Sequence, residues 1–362
     1  MRIRTLFAAG LTLAVAGVSQ AAPKPFTSKI GMHLIGAYTD GTKKMVKARM
    51  PVLKVLDLHK DMLTAVRDYK KANPDGLVVL RIYHTNRYMR RQDPVKTAEE
   101  LWDNVIWKAI SQLSKQDRKL IDYVEATNEM GECPTWESAE DTDWFIKFNL
   151  KFIELCSKAG FKPCIACIPV GNPPGDNAGL SRILQFAPAL RAARKAGGVW
   201  SYHGYTIKYS KDPSVEVWYS LRYRQWYQQF KGEYADLADM PMIMTETGVD
   251  FQGQHDKDGW QMRGTQLKYQ DWLTWFDSEL KQDKYILGVS LFQQGAKAAW
   301  NGWSSFDHEP LADWLVKYWN EDSRKVTAGS VPSVKAERPA PVSHSEAREQ
   351  APPPPPPALP TK

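Results

Sequence analysis

Eight short apolar runs rich in β-branched and aromatic residues recur through the middle of the chain. They are KIGMHLIG (29–36), PVLKVLD (51–57), GLVVLRIYH (76–84), IDYVEATNE (121–129), KPCIACIPV (162–170), GVWSYHGY (198–205), PMIMTETG (241–248) and ILGVSLFQQG (286–295). Between most of them, apolar residues return at helical spacing. In HKDMLTAVRDYKKAN the residues Met62, Ala65, Val66 and Tyr69 form one stripe, while SAEDTDWFIKFNLKFIELCSKAG opens on a Ser138 cap and closes on Gly160. The segment after the first run, TDGTKKMVKARM, is short and basic and makes the weakest helix of the set. Buried strands separated by helices, without hairpin signals, predict an α/β fold: a (β/α)8 TIM barrel in a single domain. An open doubly wound sheet is the alternative, but no Gly-rich phosphate loop follows the first run.

Both ends of the 362-residue chain depart from this pattern. Residues 1–21, MRIRTLFAAGLTLAVAGVSQA, join two arginines, a short apolar run and a small-x-small ending. That is the form of a secretory signal cleaved after Ala21, and an uncleaved anchor is the alternative. From residue 326 the chain turns to Ser, Ala, Pro and mixed charge and finishes in EQAPPPPPPALPTK. Such a composition predicts a solvated, disordered tail over 326–362, with a spacer or a ligand for a proline-binding partner as alternatives. The barrel domain is therefore expected over 22–325, secreted or periplasmic, monomeric, with no membrane span once the signal is removed. The full chain's formal charge of +7 falls to +5 when Arg2 and Arg4 leave with the signal, a mild excess that hints at acidic partners without requiring them.

Four cysteines, Cys133, Cys156, Cys164 and Cys167, share one stretch. In an exported chain an even, clustered set suggests two local disulfides. Cys164 and Cys167 are an odd number of residues apart on a strand and should face opposite ways. Of the three pairings, Cys133 with Cys167 and Cys156 with Cys164 is the one expected. A zinc or redox site at CIAC is the rival, but it lacks a second ligand pair.

In a barrel, chemistry sits at the C-terminal ends of the strands. Those ends carry Arg81, Tyr83 and His84, then Asn128 and Glu129, then His203 and Tyr205, then Thr245 and Glu246, and the last run leads from Gln293 towards Trp300 and Trp303. Two carboxylates, Glu129 and Glu246, thus face one pocket from distant parts of the chain. Paired carboxylates are what glycoside hydrolysis needs: one protonates the leaving oxygen, and the other attacks the anomeric carbon or activates water. Neighbouring Asn, Tyr, His and Arg can hold their pKa values apart.

The ATNE ending of the fourth strand, the TETG ending of the seventh and the HGY of the sixth resemble glycoside hydrolase clan A, which includes glycoside hydrolase families 5 and 39. The resemblance spans about residues 27 to 322 through strand order and spacing. It implies a retaining glycosidase with Glu129 as acid/base and Glu246 as nucleophile. It further implies that Asn128 holds the substrate 2-hydroxyl, that Tyr205 or His203 orients the carboxylates, and that Arg81 keeps Glu246 ionised. Trp300 matches the clan's sugar-stacking platform. Met130 stands where the commonest clan wording has proline, so the loop MGECPTWE would instead be tied by Cys133, and the tryptophan after strand eight is delayed by FQQGAKAAW. Both departures bear on the substrate and leave the carboxylates in place.

Arg81, His84, His203, Tyr205, Asn128, Trp136, Trp300 and Trp303 are the expected substrate-binding set. Trp136, Trp200, Trp260, Trp300 and Trp303 together suggest an extended groove and endo action on a polysaccharide. Arg87, Arg90 and Arg91, interleaved with Tyr88, read either as a subsite for an anionic or substituted exopolysaccharide or, preferably, as a solvated basic loop. Single-stranded nucleic acid would suit the same interleaving, but export and the barrel pattern argue against it. No HExxH occurs and the histidines are isolated, so no metal or cofactor is expected. The rival of another class is an exported carbohydrate-binding or adhesion protein that keeps the barrel without turnover.

Overall fold

The structure is a computed structural model that describes residues 25–129, 131–251, 258–295 and 303–321. The signal at 1–21 and the tail at 326–362 lie outside the described residues, as do Met130 and Trp300. Eight parallel strands close into a barrel in sequence order. They are β1 (Ile30–Leu34), β2 (Val52–Leu56), β3 (Leu77–Arg81), β4 (Tyr123–Glu125), β5 (Lys162–Ile168), β6 (Val199–Thr206), β7 (Met242–Val249) and β8 (Ile286–Gln294). Each falls within a run read from the sequence or overshoots it by one residue. The strands are legible because a parallel strand is covered on both faces and so reads as continuous apolar sequence.

A helix follows each strand, the weak one after β1 included, where Asp40–Met45 is capped by the Thr39 hydroxyl. The longest, Ala139–Lys158, starts where Ser138 Oγ accepts from the Asp141 amide at 3.0 Å. It ends at Gly160, whose φ of +88° is open to glycine without strain. Its buried stripe of Phe145, Phe148, Phe152 and Cys156 covers the sheet. No described helix is long and apolar enough to cross a membrane.

The barrel interior is layered. Its floor is apolar, made by Val52, Val79, Tyr123, Cys164, Val199 and Ile243. Its upper rim carries Ile35, Leu56, Tyr205, Phe292 and Phe306. Between them lies a buried polar layer that includes Lys54, Glu125, Ser201, His203 and Thr245.

Two bulges decide which side chains enter that layer. On β5 the register passes from Ile165↔Trp200 to Ile168↔Tyr202, so β5 spends one residue more than β6. The extra residue falls where Ala166 and Cys167 take φ of +80° and +43°. The bulge cancels the odd spacing of Cys164 and Cys167, and both thiols face inward. On β7 the register passes from Ser201↔Ile243 to His203↔Glu246, which turns the consecutive residues Thr245 and Glu246 both into the barrel.

The expected disulfides are not formed, and all four cysteines are free and buried. Cys156 packs in the helix layer with its thiol towards the Phe161 carbonyl at 3.6 Å, while Cys164 lies inside the barrel, 4.0 Å from Glu125. The β5 wall stands between them. Cys133 sits in the loop after β4, whereas Cys167 points inward, 3.1 Å from His203 Nε2. Burial pushes both thiols well above the usual range.

Candidate active site

Glu129 and Glu246 come together as expected, joined through a histidine. β4 ends at Glu125, so Ala126–Glu129 run beyond the sheet and lift Glu129 to the mouth, where 37% of its side chain is exposed. Glu246 stays inside at 9%. His203, fully buried on β6, places Nδ1 2.6 Å from Glu129 Oε1 and 3.4 Å from Glu246 Oε2. One oxygen of each glutamate and a ring nitrogen of His203 all lie within 4.8 Å of one another. The far side of the ring is held at Nε2 by the Cys167 thiol at 3.1 Å and the Thr245 hydroxyl at 3.2 Å.

Glu246 is ringed by donors. Tyr205 donates its hydroxyl to Oε2 at 2.9 Å, and Lys54 approaches Oε1 at 3.2 Å. Burial alone would raise the Glu246 carboxyl; His203, Lys54 and Arg81 and the Tyr205 hydrogen bond outweigh it and hold it below the usual value. Burial, then the charge of Glu246, raises the Tyr205 phenol well above its ordinary range, so it remains a donor. His33 on β1 lies 3.6 Å from Glu246 Oε1. Burial and the Lys54 charge push His33 well below the histidine range, which leaves it neutral.

In the layer beneath, the fully buried Glu125 takes Lys54 at 2.8 Å on one oxygen, and the hydroxyls of Thr245 at 2.6 Å and Ser201 at 3.0 Å on the other. Burial raises this carboxyl, and Lys54, His203 and the hydrogen bonds overcome that and bring it down to about 2. Lys54 is raised above its usual value although burial opposes it, because Glu125 and Glu246 flank it. These residues were missed in the sequence. The signal was there: a lysine in PVLKVLD and a glutamate in IDYVEATNE sit mid-strand, where opposite charges must pair to be tolerated.

Arg81 does not contact Glu246. Its guanidinium donates to Glu132 Oε1 at 2.9 Å and adds to the field on Glu246 from there. The direct cation is Lys54. Glu132 also accepts the Asn128 backbone amide at 2.7 Å and stands 3.6 Å from His84 Nε2, so His84 is buried beside the carboxylate that ties the loop. Together with the Tyr88 amide donating to the Glu132 carbonyl at 2.7 Å, these contacts tie the loop after β4 that Cys133 was expected to tie. Asn128 is partly exposed, and its side-chain carbonyl has no hydrogen-bond partner among the described residues. That oxygen is itself buried, an unpartnered acceptor beside Glu129.

Of the expected aromatic groove, Trp303 is half-buried at the rim, 4.6 Å from the Phe292 ring. Trp136 is 1% exposed and packs edge-on against Phe145 and Phe186 in the helix layer, so it is no sugar platform. Trp200 and Trp260 are core residues as well. Loop residues can be folded back under their own helix, and spacing does not reveal it. Trp136→Ala should therefore cost about 3–5 kcal/mol in chemical denaturation and leave KM unchanged. In the loop after β3 the arginines Arg87, Arg90 and Arg91 are exposed and Tyr88 is buried, with Arg90 lying 3.7 Å from Asp141.

Among the described residues two triplets have the spacing of cation ligands: Glu129, His203 and Glu246, and Glu125, Cys167 and His203. The Lys54 ammonium already bridges Glu125 and Glu246 and supplies the positive charge an ion would bring.

In barrel architecture the chain is similar to several solved glycoside hydrolases. No family model and no curated protein matches the sequence. Similar solved structures include a glycoside hydrolase family 5 enzyme from Prevotella bryantii B14 in complex with a xyloglucan tetradecasaccharide, 11% identical with a TM-score of 0.47, covering 80% of this chain and 86% of that one. Another is the endo-β-1,4-mannanase from Thermotoga petrophila, 11% identical at a TM-score of 0.44, covering 84% and 79%. A third is the catalytic domain of a mannanase from Streptomyces sp. SirexAA-E, 15% identical at 0.40, covering 74% and 75%. The likeness is one of barrel architecture, and the roles assigned below rest on this chain's own geometry.

Proposed function

We propose that this protein is an exported retaining β-glycosidase that cleaves a polysaccharide by double displacement, with Glu129 as acid/base and Glu246 as nucleophile. The observation that carries the reading is the approach of the two carboxylates to within 4.8 Å about His203. Inverting enzymes need about 6.5–9.5 Å between the groups to admit a water, whereas retaining enzymes hold them about 5–5.5 Å apart.

The environments divide the labour. Glu246 is buried, ionised and aimed by Tyr205, as a nucleophile must be. Glu129 is the exposed partner at the mouth, where a leaving oxygen can reach it and where water arrives in the second step. His203 steadies both. The Asn128 side-chain carbonyl is unpartnered but buried, and a turn of this partly exposed side chain would bring it to a sugar hydroxyl, an interaction that strengthens as positive charge grows on the ring. Trp303 supplies apolar surface at the rim for a sugar face.

A panel of mannans, β-glucans, xylans, chitosans and exopolysaccharides, followed by reducing ends and by NMR of the first-formed anomer, tests the reading. Products of retained configuration are expected, and inverted products contradict it. Glu129→Gln should lower kcat/KM by about 10²–10⁴-fold on substrates with poor leaving groups. Activated aryl glycosides should suffer less, since they leave without a proton. A wild type that binds polysaccharide and never cleaves it would instead indicate the non-catalytic sugar-binding barrel.

A further inference from the structure

We propose that Glu125, sealed inside the barrel and beyond the reach of any sugar, is a positioning residue: it divides the charge of Lys54 between two carboxylates, so that the nucleophile Glu246 stays ionised without being quenched. The inference rests on the role of Glu246 proposed above.

The geometry is fixed on every side. Lys54 Nζ stands 2.8 Å from Glu125 Oε2 and 3.2 Å from Glu246 Oε1, with no solvent exposure of Lys54 or Glu125. The other oxygen of Glu125 is pinned by Ser201 on β6 and Thr245 on β7. Thr245 precedes Glu246, and the β7 bulge turns both inward, so Glu125 also grips the backbone that carries the nucleophile. Burial drives Glu246 towards its protonated form, and His203 and then Lys54 oppose it; with the ammonium wholly its own, it would be a tightly paired and poorly nucleophilic carboxylate. Sharing one ammonium with Glu125 gives the intermediate state.

The other groups facing Glu246 are accounted for. They are His33 on β1, Arg81 on β3, Glu129 beyond β4, Cys167 on β5, and His203 and Tyr205 on β6, while β8 contributes no ionisable side chain. Among the described residues Lys54 touches two carboxylates, Glu246 and Glu125, and of these Glu125 has no solvent exposure.

The test is the pH profile of kcat/KM for Glu125→Gln, measured with aryl glycosides of the sugar identified by the polysaccharide panel. With the amide in place Lys54 belongs to Glu246 alone. The acid limb should move to lower pH by about one unit, a tenfold change in the proton affinity of Glu246. kcat/KM on poor leaving groups should fall about tenfold, because the nucleophile is less basic, while binding of a non-hydrolysed oligosaccharide is unchanged. Should the single variant fail to fold, Glu125→Gln/Lys54→Met removes both charges, and its acid limb should move upward. A folded variant with the wild-type limb, or a limb moved in the opposite sense, overturns the proposal. That outcome with Glu246 still proved as nucleophile by chemical rescue overturns this inference alone; a Glu246→Ala variant that turns over normally overturns the nucleophile assignment whatever Glu125 does.

Discussion

Glu246→Ala loses on the order of 10⁴-fold or more of kcat, and azide restores turnover of an activated aryl glycoside as a glycosyl azide of inverted configuration. Removing the nucleophile leaves a space below the anomeric carbon that a small anion can enter. One displacement in place of two then inverts the centre. Glu129→Ala with azide should give the opposite outcome, a glycosyl azide of retained configuration, because Glu246 still forms the covalent intermediate and azide replaces the water that Glu129 would activate. The pair of product configurations, read by NMR, assigns each carboxylate separately. Equal configurations from the two variants would contradict the division of roles drawn from the exposed Glu129 and the buried Glu246.

Lys54→Met is the substitution expected to harm folding most. It leaves Glu125 and Glu246 buried in one layer with their shared ammonium gone. Breaking a buried ion pair by removing one partner costs about 3–5 kcal/mol, since the remaining charge has no water to turn to. The pH dependence has a definite sign. In the wild type the Glu125 carboxyl is depressed to about 2, so its contribution to stability is present above the unfolded-state value of about 4.3 and is lost as pH falls towards 2. In Lys54→Met both carboxyls are raised, and the variant recovers stability as acid neutralises them. Urea denaturation curves of the two proteins should differ most near neutrality and converge in acid. A constant gap across pH would show that the loss is one of packing and not of charge.

The strands were legible because parallel strands in a barrel are apolar on both faces, and helix signals such as the Ser138 cap and Gly160 stood at the boundaries they mark. The two candidate carboxylates were legible because ATNE and TETG place polar residues where apolar runs stop. What lay beyond reach depended on the third dimension. One extra residue in β5 reverses the alternation at Cys167, and with it the prediction of a disulfide. Trp136 stands in a loop by sequence and in the core by packing. Arg81 was matched to the nearest carboxylate that chemistry suggested, while the fold gave it Glu132, four positions past Asn128 in a loop whose path no periodicity reveals. Lys54 and Glu125 were missed for a different reason. Each is ordinary alone, and the two side chains meet only inside the closed barrel, where Lys54 Nζ lies 2.8 Å from Glu125 Oε2.

The apolar floor made by Val52, Val79, Tyr123, Cys164, Val199 and Ile243 closes the barrel from below. Lys54 and Glu125 have no exposure to solvent, and of the charged groups around Glu246 it is Glu129 that stands in water at the mouth. The charge of the interior is thus balanced by its own members, and Glu129 is where that balance meets the solvent.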